Sequence, residues 1–255
     1  MLNPRVIPCL LVKDRGLVKT VGFASPTYVG DPINAVKIFN EKEVDELIVL
    51  DIDASLYGRE PDYRMIENLA AECRMPLCYG GGVKTVEQIQ RIVSLGVEKV
   101  SLASVAIDDP ELVSSASKLL GSQSVVVVLD VKRNDGRYEV FVRSGTEGTG
   151  ETPFDLALEM EQRGAGEILL NSIDNDGAMN GYDLELVKEL TGLINVPLTV
   201  LGGAGSLDNM REVFAKCRQI GAAAGSLFVF KGQYRAVLIN YPSRSEKQRL
   251  FAGVN

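Results

Sequence analysis

The residues best suited to chemistry in this 255-residue chain are carboxylates at the far ends of apolar runs. Ser124–Arg133 is the plainest case: four valines and a leucine lead to Asp130, with Lys132 and Arg133 just beyond. A run this short and this β-branched reads as a strand buried on both faces, as in a parallel sheet. Barrel and open α/β enzymes keep their reacting groups at the C-terminal ends of such strands. Asp130 is therefore the first candidate for acid–base work; the plainer alternative is a carboxylate that caps the next loop. Asp51 and Asp53 end a second apolar run, and Asp174 and Asp176 follow a third. The chain has no histidine. That removes His-dependent triads, His-ligated zinc and imidazole proton transfer. Carboxylates, lysines, thiols, hydroxyls and backbone dipoles remain, and no metal or cofactor is expected.

Two glycine-rich turns form a second constellation. Gly80-Gly81-Gly82 and Gly202-Gly203-Ala204-Gly205 are each followed, one unit later, by a small-residue strand end, Ala103-Ser104 and Ala224-Gly225-Ser226. Glycines let the backbone approach an anion closely. Two such sites on opposite sides of one barrel would hold a ligand with a phosphate at each end; a tight turn is the bland reading of either alone. Lys13 and Lys19, in a polar stretch after the first apolar run, either reach a phosphate or are solvated. Arg5, Glu46, Lys99 and Glu167 each stand at the start of an apolar run, on the opposite face. Spacing alone makes them a structural ion-pair layer, which the N-terminal faces of barrels usually carry.

The elements that must position these groups alternate. Strands are expected at Arg5–Val12, Glu46–Asp53, Met75–Tyr79, Glu98–Ala103, Ser124–Val131, Glu167–Ser172, Pro197–Leu201 and Gly221–Phe228. Helices are expected at Pro32–Asn40, Tyr63–Glu72, Val86–Leu95, Pro110–Leu120, Pro153–Arg163, Leu184–Leu190 and Leu207–Lys216. From Lys13 to about Asp31 the chain reads as a long polar loop, a candidate lid. Eight such units without a compositional break predict an α/β fold, a single (β/α)8 TIM barrel over residues 1–255, with an open doubly wound sheet as the alternative. The halves repeat at an offset near 120 residues: Gly81-Gly82 answers Gly202-Gly203, and Ser104 answers Ser226. The same alignment sets Leu11 opposite Asp130.

Composition narrows the class. The hydrophobic content of 45% supplies a continuous core, and no apolar run is long enough to cross a bilayer, so no membrane partner is expected. The N-terminus lacks a signal-peptide pattern, which makes the cytoplasm the expectation. A net charge of −7 argues against nucleic acid as the main partner. Cys9, Cys73, Cys78 and Cys217 have no paired spacing and read as reduced core thiols.

Over roughly residues 1–230 the chain resembles the cyclase subunit of imidazole glycerol phosphate synthase, from histidine biosynthesis. The resemblance is carried by Arg5-Val6-Ile7-Pro8-Cys9-Leu10, Asp45-Glu46-Leu47, Gly80-Gly81-Gly82, Glu98-Lys99-Val100-Ser101, Gly121-Ser122-Gln123-Ser124, the run from Arg163 to Leu170, and Ser172-Ile173-Asp174. It implies a half-barrel repeat and a bisphosphorylated ribulose-type substrate. It also implies a glutaminase subunit docked on the N-terminal face, feeding ammonia through the barrel. By the same resemblance Arg5, Glu46, Lys99 and Glu167 become the family's ammonia gate, and Asp130 one of two catalytic aspartates. Lys19 becomes the loop lysine, and Gly82, Ser104, Asp176, Gly177, Gly203 and Ser226 the phosphate-binding positions.

Three departures stand out. The second catalytic aspartate falls on Leu11, which cannot move a proton. The usual Ser-Ile-Asn is Ser101-Leu102-Ala103, which loses an amide contact near one phosphate. The usual closing helix is replaced by a divergent tail, residues 232–255. The opening residues resemble a paralogue found with bacterial surface-polysaccharide (O-antigen) pathways, which implies a barrel that supplies ammonia to a sugar-nucleotide amidating enzyme. An unrelated phosphosugar isomerase on the same fold is a third reading, which neither the gate nor the long first loop favours.

Overall fold

The computed structural model describes residues 4–217 and 220–252. Eight parallel strands form its centre: β1 (Arg5–Lys13), β2 (Leu47–Asp51), β3 (Leu77–Gly80), β4 (Lys99–Leu102), β5 (Val125–Asn134), β6 (Glu167–Ser172), β7 (Leu198–Leu201) and β8 (Ile220–Ala224). Each pairs in parallel with the next, and β8 returns to β1 with Arg5 opposite Gly221. The ring of pairs is closed. That excludes the open sheet, because a doubly wound sheet would leave two edges and this one has none.

Side chains alternate between the barrel interior and the helical layer, as the two-residue strand period requires. Along β1, Val6, Leu10 and Val12 pack outward with the large core, while Ile7 and Cys9 face inward. Val126 and Val128 of β5, Ile48 of β2, Cys78 of β3, Leu169 of β6 and Ala223 of β8 complete that inner plug. The same alternation, carried one step down, puts Arg5, Glu46, Lys99 and Glu167 on the floor. Carried one step up, it puts Leu11, Asp130 and Asn171 at the mouth. All four thiols are free, with Cys9, Cys78 and Cys217 buried.

The helices form where expected because their apolar stripes recur at helical spacing and, except for Glu111–Leu120, a side chain caps their starts. Thr85 and Ser206 each close a reciprocal capping box on Val86–Ser94 and Leu207–Lys216.

Three expectations need correction, and one hairpin was not foreseen. The polar stretch after β1 is not a loop but an antiparallel hairpin, Gly16–Val21 with Ala24–Gly30; its outer strand is mostly exposed, so no apolar alternation marked it. The eighth strand stops at Ala224, and Ser226–Val229 is a short helix. A second hairpin, Arg137–Val142, extends β5, so each half-barrel opens with one long strand and its antiparallel arm. Within the 232–255 tail, whose last three residues lie outside the described ones, Arg244–Phe251 is a helix. It seats Leu250 in the core and Phe251 edge-on to Phe214, 5.4 Å between ring centroids. A closing helix is therefore present. No helix among the described residues is long and apolar enough to cross a membrane.

Candidate functional site

At the C-terminal mouth of the barrel lies a cavity of about 450 Å³, bordered by all eight strand ends. Every residue expected there borders it: Lys19, Gly82, Ser104, Asp130, Asp176, Gly177, Gly203 and Ser226, together with Leu11. The strands explain the convergence. Asp130 and Asn171 are register partners on β5 and β6, and Leu11 pairs with Leu50 across the cavity wall.

Asp130 accepts a hydrogen bond at Oδ1 from Asn171 Nδ2 at 2.9 Å. Burial pushes its carboxyl up to about 7; the nearby charge of Asp176 adds to the rise, and the Asn171 bond opposes it. At neutral pH such a group can hold or release a proton, the property a general acid or base needs. Leu11 offers no second carboxylate. Asn171, only 5% exposed, keeps Oδ1 without a partner among the described residues.

Lys19 is not solvated. It is 5% exposed, donates from Nζ to the Cys9 carbonyl at 2.7 Å, and burial lowers its pKa. Gly225 makes room for it: a Cβ there would lie 2.4 Å from Lys19 Nζ. Asp176 accepts from Thr20 Oγ1 at 2.6 Å and from the Phe23 amide at 3.1 Å, tying the first hairpin over the cavity. The hairpin is thereby a fixed wall of the site.

The other strand-end carboxylates do bland work. Asp51 borders the cavity but accepts the Asp53 and Ala54 amides at 3.1 and 3.0 Å. Asp53 faces away from the cavity, paired with Arg59 at 3.2 Å and Lys13 at 3.6 Å. Asp174 accepts the Arg133 amide. Lys13 is thus committed to Asp53 and not to the cavity.

At the opposite end, Arg5, Glu46, Lys99 and Glu167 close into one ring. Arg5 binds Glu46, and reaches Glu167 at 2.8 Å; Lys99 bridges the same two carboxylates at 2.7 and 2.8 Å. Thr199 donates its hydroxyl to Glu167. Burial pushes Glu167 up, but Arg5 and Lys99 more than cancel this and hold it below the usual carboxylate range. Two cations and two carboxylates leave the ring neutral. Between ring and cavity stands the apolar plug.

Sequence reasoning missed Asn171, Ser101, Arg143 and Ser144, which also border the cavity. Asn171 and Ser101 carried a legible signal, since each is a polar residue on an inward-facing strand position. Arg143 and Ser144 sit on the second hairpin's turn and carried none. No group of three or more His, Cys, Asp or Glu among the described residues could hold a metal.

A family model described as "Histidine biosynthesis protein" matches residues 5–235. The chain is 57% identical over 253 residues to a Leptospira interrogans protein named "Putative imidazole glycerol phosphate synthase subunit HisF", covering 98% of this chain and 100% of that one. It is 52% identical over 243 residues to the Pseudomonas aeruginosa protein bearing the same name with the symbol hisF2, covering 95% and 97%. It is 41% identical over 243 residues to the "Imidazole glycerol phosphate synthase subunit HisF" of Natranaerobius thermophilus, again covering 95% and 97%.

Proposed function

The chain belongs to the histidine biosynthesis protein family, in the branch of imidazole glycerol phosphate synthase HisF-type subunits, and from that premise we propose that it works as a glutaminase-coupled barrel. Ammonia released by a glutaminase on the N-terminal face enters at the Arg5–Glu46–Lys99–Glu167 ring. It travels along the inner plug to the mouth, where a phosphosugar-type ligand with two phosphates lies between the Gly82/Ser104 and Gly203/Ser226 ends. Asp130 is the proton-transferring group, and Lys19 faces the ligand from the hairpin wall. The observation that carries this reading is the axial arrangement: a neutral polar ring at one end, a cavity bordered by both glycine turns at the other, and an apolar barrel interior between.

Leu11 favours a second reading within the same family. Cyclisation with carbon–nitrogen cleavage calls for acid and base groups facing each other, and one carboxylate is missing. In this reading the barrel does not cyclise. It activates the glutaminase and passes ammonia to a separate enzyme that amidates a sugar nucleotide in surface-polysaccharide biosynthesis.

Both readings require the partner. Mixing the purified chain with its cognate glutaminase should give a heterodimer with raised glutamine turnover. A pair that neither co-elutes nor changes turnover contradicts both.

A further inference from the structure

The two ends of the cavity differ in charge. At the Gly203/Ser226 end the cation is Lys19, enclosed and bonded to the Cys9 carbonyl, with Asp176 nearby. At the Gly82/Ser104 end two cations stand at the rim. Lys84 lies two residues past Gly82 and forms no ion pair among the described residues; Arg143 borders the cavity from the turn of the second hairpin. The carboxylates at this end are already engaged. Asp51 accepts two loop amides, and Asp108 and Glu147, both about half exposed, meet the Arg143 guanidinium at 3.3 and 3.1 Å. Such exposed pairs are weak and can be displaced.

The backbone around Arg143 is shaped for position. Arg143 and Ser144 both have left-handed φ, 51° and 55°, a conformation that side chains with a Cβ disfavour. Three bonds hold it: the Arg143 amide donates to Ser104 Oγ at 2.9 Å, Ser144 Oγ to the Ile52 carbonyl at 2.8 Å, and Thr146 Oγ1 to the Arg143 carbonyl at 2.7 Å. Strain of this kind persists where surroundings over-determine it, commonly at ligand clamps. The first bond has a chemical consequence. Because Ser104 Oγ accepts from Arg143, its own hydroxyl proton is left for an acceptor in the cavity. Ala103, next to Ser104, supplies no polar group.

We propose that Arg143, locked beside Ser104 by this turn and assisted by Lys84, selects a phosphomonoester for the ligand end seated at Gly82 and Ser104. This inference rests on the reading of the cavity as a site for a doubly phosphorylated ligand. A guanidinium fork matches phosphate oxygens two at a time. A phosphoryl group near charge −2 outcompetes the single charges of Asp108 and Glu147, and a neutral or carboxylate end does not.

Inorganic phosphate is the probe, with the full chain as wild type, Arg143→Gln and Arg143→Lys, read by crystal occupancy at each end and by calorimetry. Wild type should hold phosphate at both ends. Arg143→Gln should lose it at Gly82/Ser104, about tenfold or more weaker, and keep it at Gly203/Ser226. Arg143→Lys should recover part of the binding at the first end with an unchanged melting temperature, which a purely structural arginine would not do. Equal phosphate at both ends of Arg143→Gln, or a Lys variant no better than Gln, overturns the role of Arg143 and leaves the two-phosphate cavity standing. Wild type with phosphate at neither end overturns both.

Discussion

Asn171 and Asp130 sit side by side on adjacent strands, and the 2.9 Å bond from Asn171 Nδ2 is, among the described residues, the one hydrogen bond that steadies the Asp130 carboxylate. It works against burial, which pushes the acid up to about 7. Replacing Asn171 by Ala should therefore raise the Asp130 pKa further. A carboxyl-carbon titration followed by nuclear magnetic resonance reads the shift; a midpoint that falls or stays put contradicts this assignment.

The same raised acid links folding to pH. Between about 4, its ordinary value, and about 7, the folded chain holds a proton that the unfolded chain has released. Stability contributed by Asp130 is thus full at the acid end of that window and declines as pH rises through it. Asp130→Asn should flatten this slope in denaturant titrations at pH 5 and 7.5. Asp130 borders an open cavity and is only partly buried, so the slope is shallower than solid burial would give.

At the floor, Lys99→Ala leaves Glu46 and Glu167 facing Arg5 alone. Removing one partner from an enclosed ion-pair ring costs about 3 kcal/mol. Glu167, which burial pushes up but Arg5 and Lys99 hold below its usual range, loses its contribution as pH falls through its folded pKa. Acid unfolding of the variant should therefore begin at higher pH than in wild type. Urea titration that finds no loss at pH 7 contradicts a stabilising ring.

Gly203 allows the loops that follow β6 and β7 to touch, with the Gly181 amide donating to the Gly203 carbonyl at 2.8 Å. A Cβ at Gly203 would stand 2.0 Å from the Gly181 carbonyl oxygen, and its φ is +107°. Gly203→Ala should cost more than about 2 kcal/mol by differential calorimetry and disturb the Gly203/Ser226 end before the other. A variant melting at the wild-type temperature contradicts the close approach.

How much of this was legible beforehand depended on burial. β5 and β6 announced themselves because both faces of each strand are covered, so Val125–Leu129 and Ile168–Leu170 are unbroken apolar runs. The floor ring was found because charged residues heading apolar runs have one face to occupy. The outer strand Ala24–Gly30 was invisible since it buries little more than Val29. The helix Arg244–Phe251 buries Leu250 alone and shows no apolar stripe, yet Ser243 and Glu246 spell its capping box and could have marked it. Arg143 was out of reach: nothing in a turn sequence says that its backbone will meet Ser104, 39 positions away.

The most direct test of the account is turnover of the bisphosphorylated cyclase substrate by the purified chain at saturating ammonium, with no glutaminase present. Leu11, whose side chain carries no proton to transfer, lines the same cavity as Asp130. General acid–base assistance contributes about 10²–10⁴-fold. The account predicts a rate at least about a hundredfold below that of a two-aspartate relative, with Leu11→Asp recovering part of the difference. A wild-type chain that turns over as fast as that relative would contradict it.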